Sequence, residues 1–333
     1  MNGILAIIDD ATLGWLLEKN NPSVRYYTLT KLLGFGVDHP DVIESKREIM
    51  TTGLVPKILD KQLPGGFWGE ERRFYLDKYK GTSWQLILLA ELGADPGDER
   101  VKKACEFILD NAQDKSGFGF SVDFSSRGQG GRHSEVIPCL TGNMVFSLLK
   151  LGFLNNERVQ KGVDWICTYQ RCDDGVSGVP SVWPYDRFEG CWGKHSCHMG
   201  VAKALKALSA IPVECRSEIV NRKIEELAEF MLIHHIFKKS HDLKSVSKPS
   251  WLKFGFPLMY QADALEILEI LIDLGYKDER MQDAVDRVRS KQNVEKRWIL
   301  ENTYNGRMLY NVEAKGANSK WITLRAVNVL HKF

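Results

Sequence analysis

Hydrophobic and polar residues divide the chain into two alternating kinds of predicted helix. One kind is apolar on nearly every side, which is typical of a helix buried all round. The other kind has one apolar and one polar stripe, as expected of a helix that covers a core and faces water. The predicted buried helices span residues 23–33, 83–92, 141–151, 199–208, 263–274 and 320–330, and amphipathic examples span residues 11–18, 100–111 and 158–169.

Short sequence marks recur with this alternation. Leu-Gly pairs end four of the buried helices, and the first three pairs are evenly spaced. Several amphipathic helices end in a glutamine that precedes an aromatic or glycine-rich turn, at Gln62, Gln113, Gln170 and Gln292. Recurrence at this spacing indicates a repeat architecture. We expect an all-α fold in which residues 1–333 form a single-domain α/α toroid of about six inner and six outer helices.

The predicted connections differ in length. Those that lead into a buried helix are long, and those that leave one are short. In a ring of alternating helices, all the long connections gather at the end where the inner helices begin. Long ordered loops commonly carry function, so we expect the mouth of the ring at that end.

Composition excludes some classes of protein. The 333 residues carry a net charge of +2, so no basic excess points to nucleic acid. No apolar run of about 18 residues predicts a transmembrane segment. The seven cysteines are an odd number, and several fall within helical patterns, so we expect reduced thiols and a cytoplasmic protein. Peripheral contact with a membrane stays open.

One segment carries the best copy of a known motif. Cys105-Glu106-Phe107-Ile108-Leu109, with Gln113 and Gly117-Phe118, resembles the QW repeat of squalene and oxidosqualene cyclases. The whole chain resembles the toroid superfamily of terpenoid cyclases and protein prenyltransferases. The resemblance implies an enzyme that acts on a small apolar, isoprenoid-like substrate. The Asp-x-Asp-Asp motif of squalene-type cyclases is absent, and Cys172-Asp173-Asp174 contains only a fragment of it.

Thiols and imidazoles cluster at the starts of two successive buried helices. Cys139 opens one helix, Cys197 and His198 open the next, and Cys191 lies just before them. Thiolate and imidazole are the usual ligands of Zn²⁺, although another divalent metal is not excluded. The layout resembles the zinc site of lanthionine cyclases, which implies a thiol-bearing substrate. The alternative is that these are reduced cysteines and a surface histidine.

Other residues are candidates for catalysis or substrate binding. Asp263 is either a general acid or base or the N-cap of its helix. His195 is a second acid/base candidate and an alternative metal ligand. The predicted substrate-binding residues comprise a cation for an anionic group, two early inner-helix amides and two aromatic rings: Arg25, Gln85, Asn143, Trp192 and Tyr260.

Three functions fit these features. The first is a metal-dependent enzyme, with zinc as the expected metal, of prenyltransferase-like or cyclase-like type with an isoprenoid-like substrate in the ring cavity. The second is a non-catalytic toroid that binds a lipid or a peptide and has a structural zinc site. The third is a sugar-active α/α barrel, which needs two facing carboxylates such as Asp186, Glu189 or Asp263.

Overall fold

Helices account for most of the regular backbone in the computed structural model, which describes residues 2–125 and 130–333. The α-helices are α1 Asn2–Leu5, α2 Asp10–Leu16, α3 Pro22–Tyr27, α4 Pro40–Thr51, α5 Leu54–Leu59, α6 Thr82–Leu92, α7 Glu99–Ala112, α8 Pro138–Lys150, α9 Glu157–Tyr169, α10 Glu189–Trp192, α11 His198–Ser209, α12 Glu218–Ile233, α13 Ala264–Asp273, α14 Gln282–Ser290 and α15 Lys320–Lys332.

Shorter elements join these helices. A π-helix, Thr28–Leu32, continues α3 directly. Two short strands, β1 Lys238–Lys239 and β2 Asp242–Val246, pair in antiparallel fashion after α12. Single 3₁₀ turns are at Glu71–Arg73, His133–Glu135, Val213–Cys215, Pro249–Leu252 and Glu279–Met281.

The inner layer is a closed ring of six helices among the described residues. The segment formed by α3 and its π-helical extension, α6, α8, α11, α13 and α15 contact one another in that order, and α15 returns to α3. The contact between α3 and α6 includes a hydrogen bond from Ser23 Oγ to the carbonyl oxygen of Leu92, at 2.7 Å. Most side chains of these helices are buried, as their uniformly apolar sequences predict.

The outer layer covers this ring. Helices α4, α7, α9, α12 and α14 each pack on the inner helix that precedes them, and α2 packs on α15. The buried residues of α7 include Val101, Ala104 and Ile108, which lie on one face, while its other face is exposed. The predicted α/α toroid is confirmed, with boundaries that differ from the predicted ones by one to three residues at most helix ends.

Two of the recurring glutamines connect neighbouring outer helices, whereas Gln170 Nε2 donates to the carbonyl oxygen of the next residue, Arg171, at 2.9 Å. Gln62 Nε2 donates to the carbonyl oxygen of Arg100, and Gln113 Nε2 donates to that of Arg158, both at 2.8 Å. Each acceptor lies at the start of the next outer helix. These bonds therefore fix the spacing of the outer layer.

A glutamine side chain also joins the last outer helix to the first residues of the chain by a hydrogen bond to a backbone carbonyl. Gln292 Nε2 donates to the carbonyl oxygen of Ile7 at 2.8 Å, and Thr12 Oγ1 donates to that of Glu295 at 3.0 Å. The outer layer is thereby closed by hydrogen bonds between segments far apart in sequence.

Two further expectations concern the chain as a whole. All seven cysteines lie within the described residues, and each is a free thiol. Among the described residues, no helix is both long enough and apolar enough to cross a bilayer.

The tightest contact between inner helices is made at Gly142 of α8. A Cβ atom at this position would lie 2.5 Å from the carbonyl carbon of Lys203 in α11, so the backbones can approach only because glycine has no side chain. We predict that Gly142→Ala lowers the free energy of unfolding by about 1–3 kcal/mol, because neither backbone can yield without repacking. Urea unfolding followed by circular dichroism measures this change.

Gly14 of α2 provides the matched control. It is also helical, but a Cβ atom there would meet nothing within 4 Å. We expect Gly14→Ala to raise the free energy of unfolding by up to about 1 kcal/mol, through helix propensity alone. Equal effects of the two substitutions would contradict the proposed close packing of α8 and α11.

Candidate functional site

A cavity of about 310 Å³ lies between the inner helices, near the points where α6, α8, α11 and α13 end. It is lined by apolar side chains, among them Phe146, Ile270 and Leu324, and by many charged ones. The sequence predicts the mouth at the opposite end, where the inner helices begin, and that expectation stays a prediction, because a second cavity, of about 390 Å³, opens among the loops at that end. The long loops at that end pack buried aromatic side chains such as Tyr79, Phe256 and Trp251 over the ring.

A chain of ion pairs runs through the interior of the ring. Glu266 of α13 accepts from Lys203 and Lys206 of α11, both at 2.8 Å. Lys206 also pairs with Glu91 of α6, whose other oxygen accepts from Arg325 of α15 at 2.8 Å. The chain continues through Glu269, Lys31, Asp273 and Lys332. Charges from five inner segments are therefore neutralised by one another.

These carboxylates are held in the ionised form. Burial alone would raise the pKa of Glu91, but Lys206 and Arg325 together lower it to about 2. Burial acts on Glu266 in the same direction, and Lys203 and Lys206 hold its pKa below the ordinary value. Glycoside hydrolysis needs one carboxyl that stays protonated as the acid. Glu91 and Glu266 do not meet this requirement.

Three of the predicted metal-binding thiols interact electrostatically where α8 and α11 begin. Burial, with smaller contributions from Cys191 and Cys197, raises the pKa of Cys139 to about 12. Burial also raises the pKa of Cys191 to about 11, with a contribution from Cys197. The convergence of these cysteines on one metal ion stays a prediction.

The fourth predicted ligand, His198, contacts a different set of side chains. Its ring packs against Phe230, His234 and Trp251, with ring centroids 5.1, 4.2 and 5.6 Å away. Burial lowers the pKa of His198 to about 3, and its Nε2 atom is buried without a hydrogen-bond partner among the described residues.

The donor set therefore does not fit a tetrahedral metal as it stands. Within residues 2–125 and 130–333, no group of three or more His, Cys, Asp or Glu side chains is arranged to hold a metal ion. Zinc binding by Cys139, Cys191, Cys197 and His198 stays a prediction.

His195 lies at the edge of the thiol segment rather than inside the ring. Its side chain is 60% exposed, and its Nδ1 atom lies 3.2 Å from Oδ1 of Asp174. The same carboxylate oxygen lies 3.4 Å from Nε2 of His234, and Ser240 donates to the other oxygen. This pairing orients the imidazole of His195, whose catalytic role stays a prediction.

Asp263 is the N-cap of α13, and its catalytic role stays a prediction. Its Oδ1 atom accepts from the backbone N–H of Glu266 and caps α13, and its Oδ2 atom accepts from the N–H of Gly255, both at 2.8 Å. The residue is 1% exposed. Among the described residues it forms no ion pair, unlike the buried carboxylates Asp114 and Glu266. Burial raises the pKa of Asp263 to about 7.

Arg25 is placed differently from the prediction. Its guanidinium group pairs with Asp41, Glu44 and Glu48 of α4, at 2.9, 2.9 and 3.6 Å. It therefore faces the outer layer, not the ring interior. Because three carboxylates already surround the guanidinium, this position gives no support to a role in binding an anionic substrate group.

The two predicted amides connect loops to the ring. Gln85 Nε2 donates to the carbonyl oxygens of Tyr79 and Lys80, at 3.1 and 3.2 Å. Asn143 Nδ2 donates to the carbonyl oxygen of Met259 at 3.2 Å. Both side chains are buried and lie beneath the loops that cover the start of the inner helices. Their role in substrate binding stays a prediction.

The two predicted aromatic residues lie in separate clusters. Trp192 is buried and packs edge-on against Trp165 and Tyr185, at ring-centroid distances of 5.9 and 5.3 Å. Tyr260 is partly exposed and packs edge-on against Trp84 at 6.1 Å. Contact with a substrate stays a prediction for both.

The ionic chain is the main feature that the sequence interpretation missed. A usable signal was present, because Lys203 and Lys206 are three residues apart in α11, as are Glu266 and Glu269 in α13. Residues at this spacing lie on one face of a helix. Charged pairs within otherwise apolar helices thus predict a charged lining for the ring.

Comparisons with known proteins give only distant likenesses. No protein-family model matches the sequence, and no curated protein does. The type II terpene cyclase MstE from Scytonema is 16% identical with a TM-score of 0.47, over 100% of this chain and 99% of that one. An unsaturated glucuronyl hydrolase specific for heparin is 12% identical with a TM-score of 0.47, over 94% and 85%. Likenesses this distant assign no activity to this chain.

The ionic chain predicts a strong dependence on Glu266. We expect Glu266→Gln to lower the free energy of unfolding by about 3–5 kcal/mol, because Lys203 and Lys206 would keep their buried charges without this partner. Thermal and urea unfolding measure the loss. The control is Glu226→Gln in α12, which breaks a 2.6 Å pair with Lys223 in which the glutamate is 48% exposed. A change below about 1 kcal/mol is expected there, and equal losses would argue against the buried network.

The raised pKa of Asp263 predicts a specific pH dependence of stability. The folded protein binds this proton more tightly than the unfolded chain, so stability falls as the pH rises from the ordinary value of 3.8 through about 7. An asparagine side chain at this position would still accept from the N–H of Glu266 as an N-cap. We therefore expect Asp263→Asn to gain stability relative to the wild type as the pH rises from 5 to 8.

Asp98, the N-cap of α7, serves as the control for this pH series. The hydrogen bond from Arg100 holds the pKa of Asp98 below its ordinary value. Its contribution is therefore complete above pH 3.8 and is lost only on further acidification. Asp98→Asn should shift stability by the same amount at pH 5 and pH 8. If the stability change caused by Asp263→Asn were also the same at pH 5 and pH 8, the raised pKa of Asp263 would be refuted.

Proposed function

We propose that this protein is a cyclase-like enzyme that acts on an isoprenoid-like substrate and in which Asp263 supplies the proton. The observation that supports this proposal most directly is the contrast among the buried carboxyl groups. Glu91 and Glu266 are neutralised by cations inside the ring, whereas Asp263 is equally buried and forms no ion pair among the described residues.

An unpaired carboxyl in such a site favours its protonated form. Desolvation penalises the carboxylate, and no cation is close enough to offset the penalty fully. At neutral pH a large fraction of Asp263 therefore carries a proton, given its pKa of about 7. A general acid works best when its pKa is close to the operating pH.

The surroundings of Asp263 suit an apolar, electron-rich substrate. Gly255, which donates to the carboxyl group, is followed by Phe256, whose ring stacks on that of Trp321 at 4.1 Å and 11°. Both rings are buried. Aromatic faces stabilise a nearby positive charge and offer an apolar surface to an alkene.

The proposed step is a proton transfer that begins ring closure. The Asp263 proton adds to one carbon of a terminal alkene, and the alkene π electrons form the new C–H bond. The other carbon becomes a tertiary carbocation, which the next alkene attacks to form a C–C bond. Loss of a proton to a base ends the sequence, and Asp263 is reprotonated from solvent. Zinc takes no part in this step.

Access to Asp263 requires the loop from residue 254 to 262 to move. This loop covers the start of α13 and is held from below by the hydrogen bond between Asn143 and Met259. Met259 has a φ of 53°, in the left-handed region that side chains other than glycine rarely adopt. Strained backbone of this kind is common in segments that switch conformation. We therefore assign the entrance to this loop.

The test uses squalene and geranylgeraniol as probes, with products separated by gas chromatography and mass spectrometry. We expect cyclised products from the wild type and at least about 100-fold slower turnover in Asp263→Asn. The Asp98→Asn control, which alters an N-cap on an outer helix, should retain full activity. Full activity in Asp263→Asn would exclude Asp263 as the acid.

A non-catalytic lipid-binding protein is the second candidate. It is favoured by the covered start of the inner helices, where Asp263 is only 1% exposed. In that case the same probes would bind to wild type and Asp263→Asn with equal affinity, and no product would form from either. Tryptophan fluorescence titration measures this binding.

A further inference from the structure

The ammonium group of Lys78 lies among three aromatic rings where the inner helices begin. Its Nζ atom is 5.0 Å from the ring centroid of Tyr75, 5.1 Å from that of Tyr260 and 5.9 Å from that of Trp84. These distances are within the range of a cation–π contact for all three rings. We call Tyr75, Trp84 and Tyr260 the aromatic cage.

The cage is held together by contacts that do not involve Lys78. Trp84 Nε1 donates to the carbonyl oxygen of Tyr75 at 2.8 Å, and the two rings pack at 5.0 Å. Tyr260 packs edge-on against Trp84 and lies parallel to Tyr79, at 6.1 and 6.4 Å. Tyr75 and Trp84 are buried, whereas Lys78 itself is largely exposed. The cage should therefore keep its shape if Lys78 moves away.

The contacts of Lys78 are poorly matched to a primary ammonium group. Such a group carries three N–H donors, yet among the described residues the Lys78 ammonium has neither a hydrogen-bond acceptor nor a carboxylate partner. Within the described part of the protein it contacts ring faces, and its exposed side also faces water. A quaternary ammonium group has no N–H to satisfy and interacts through ring faces alone, so it matches this environment better.

An open cavity of about 390 Å³ adjoins the cage. It is lined by Gly69, Asp77, Lys78, Lys80, Arg307 and Leu309. The guanidinium group of Arg307 lies 5.0 Å from the ring centroid of Tyr79, at the border of the cage. Lys80 and Arg307 would repel a simple cation but would attract an anionic group on the same ligand.

We infer that the aromatic cage is a binding site for a zwitterion with a quaternary ammonium group and a nearby anionic group, such as phosphocholine. Lys78 occupies the site as an intramolecular competitor, and the ligand displaces it into the adjoining cavity. The anionic group of the ligand then lies beside Lys80 and Arg307. This inference does not depend on the acid assigned to Asp263, because it concerns binding alone.

The test is titration of the full chain with phosphocholine, followed by tryptophan fluorescence and calorimetry. We expect saturable binding to the wild type and at least tenfold tighter binding to Lys78→Met, because the competing ammonium is removed. Lys61→Met is the matched control, since Lys61 is an exposed lysine outside the cage, and it should bind as the wild type does. Absence of saturable binding to the wild type, or weaker binding to Lys78→Met, would overturn the inference.

Variants of Tyr260 test the role of the ring face. Tyr260→Phe keeps the ring and should bind normally, whereas Tyr260→Leu should bind at least tenfold more weakly. Tetramethylammonium should compete with phosphocholine. Competition by inorganic phosphate alone, with none by tetramethylammonium, would show an anion site and refute the cage.

The phosphocholine group occurs both as a free molecule and as the headgroup of a lipid. Sedimentation with phosphatidylcholine vesicles, compared with phosphatidylglycerol vesicles, separates these sources. Selective sedimentation that free phosphocholine reverses assigns the lipid headgroup. Binding of free phosphocholine without sedimentation assigns the soluble molecule, and both outcomes support the cage.

Discussion

Charges enclosed by the ring have to neutralise one another, and this requirement shapes the interior. An unpaired charge inside a ring of apolar helices would cost several kcal/mol. Lys203, Lys206, Glu266, Glu91 and Arg325 meet the requirement only when α6, α11, α13 and α15 stand at the correct rotation about their axes. The ion pairs thus specify register between helices whose apolar surfaces alone would permit sliding, in the way that buried polar groups fix register in coiled coils.

The sequence predicted the architecture well because each layer has its own hydrophobic pattern. Uniformly apolar segments became inner helices and striped segments became outer helices, and capping residues such as Asp98 and Asn156 marked the boundaries. It did not predict the cavity at the other end, where the inner helices end. Loop length shows where more chain lies, but it does not show whether that chain lines an entrance or fills it. Arg25 was misplaced for a related reason, since an arginine in an apolar helix can face either layer and its partners on α4 decide which.

The candidate functional groups share a position although they differ in chemistry. The three thiols, Asp263 and the aromatic cage all lie where the inner helices begin and beneath loops that link an outer helix to the next inner one. The sequence assigned the neighbours Cys197 and His198 to one ligand set, but adjacent residues on a helix point in different directions. His198 instead packs on residues of α12 and its following loops. The ion pairs hold the inner helices together. The candidate functional groups lie at the end of the ring that the loops cover.

Closure of the ring limits how early the protein can complete its fold during synthesis. Helix α15 fits between α13 and α3, which are separated by most of the chain, and Gln292 and Ile7 are joined only after both ends are in place. During synthesis the apolar sides of α3 and α13 therefore stay uncovered until α15 has left the ribosome. A nascent chain with such surfaces is prone to associate with others like it. We expect chaperone dependence, slow maturation and poor recovery of variants that lack α15, because this helix closes the ring and is translated after the other five inner helices.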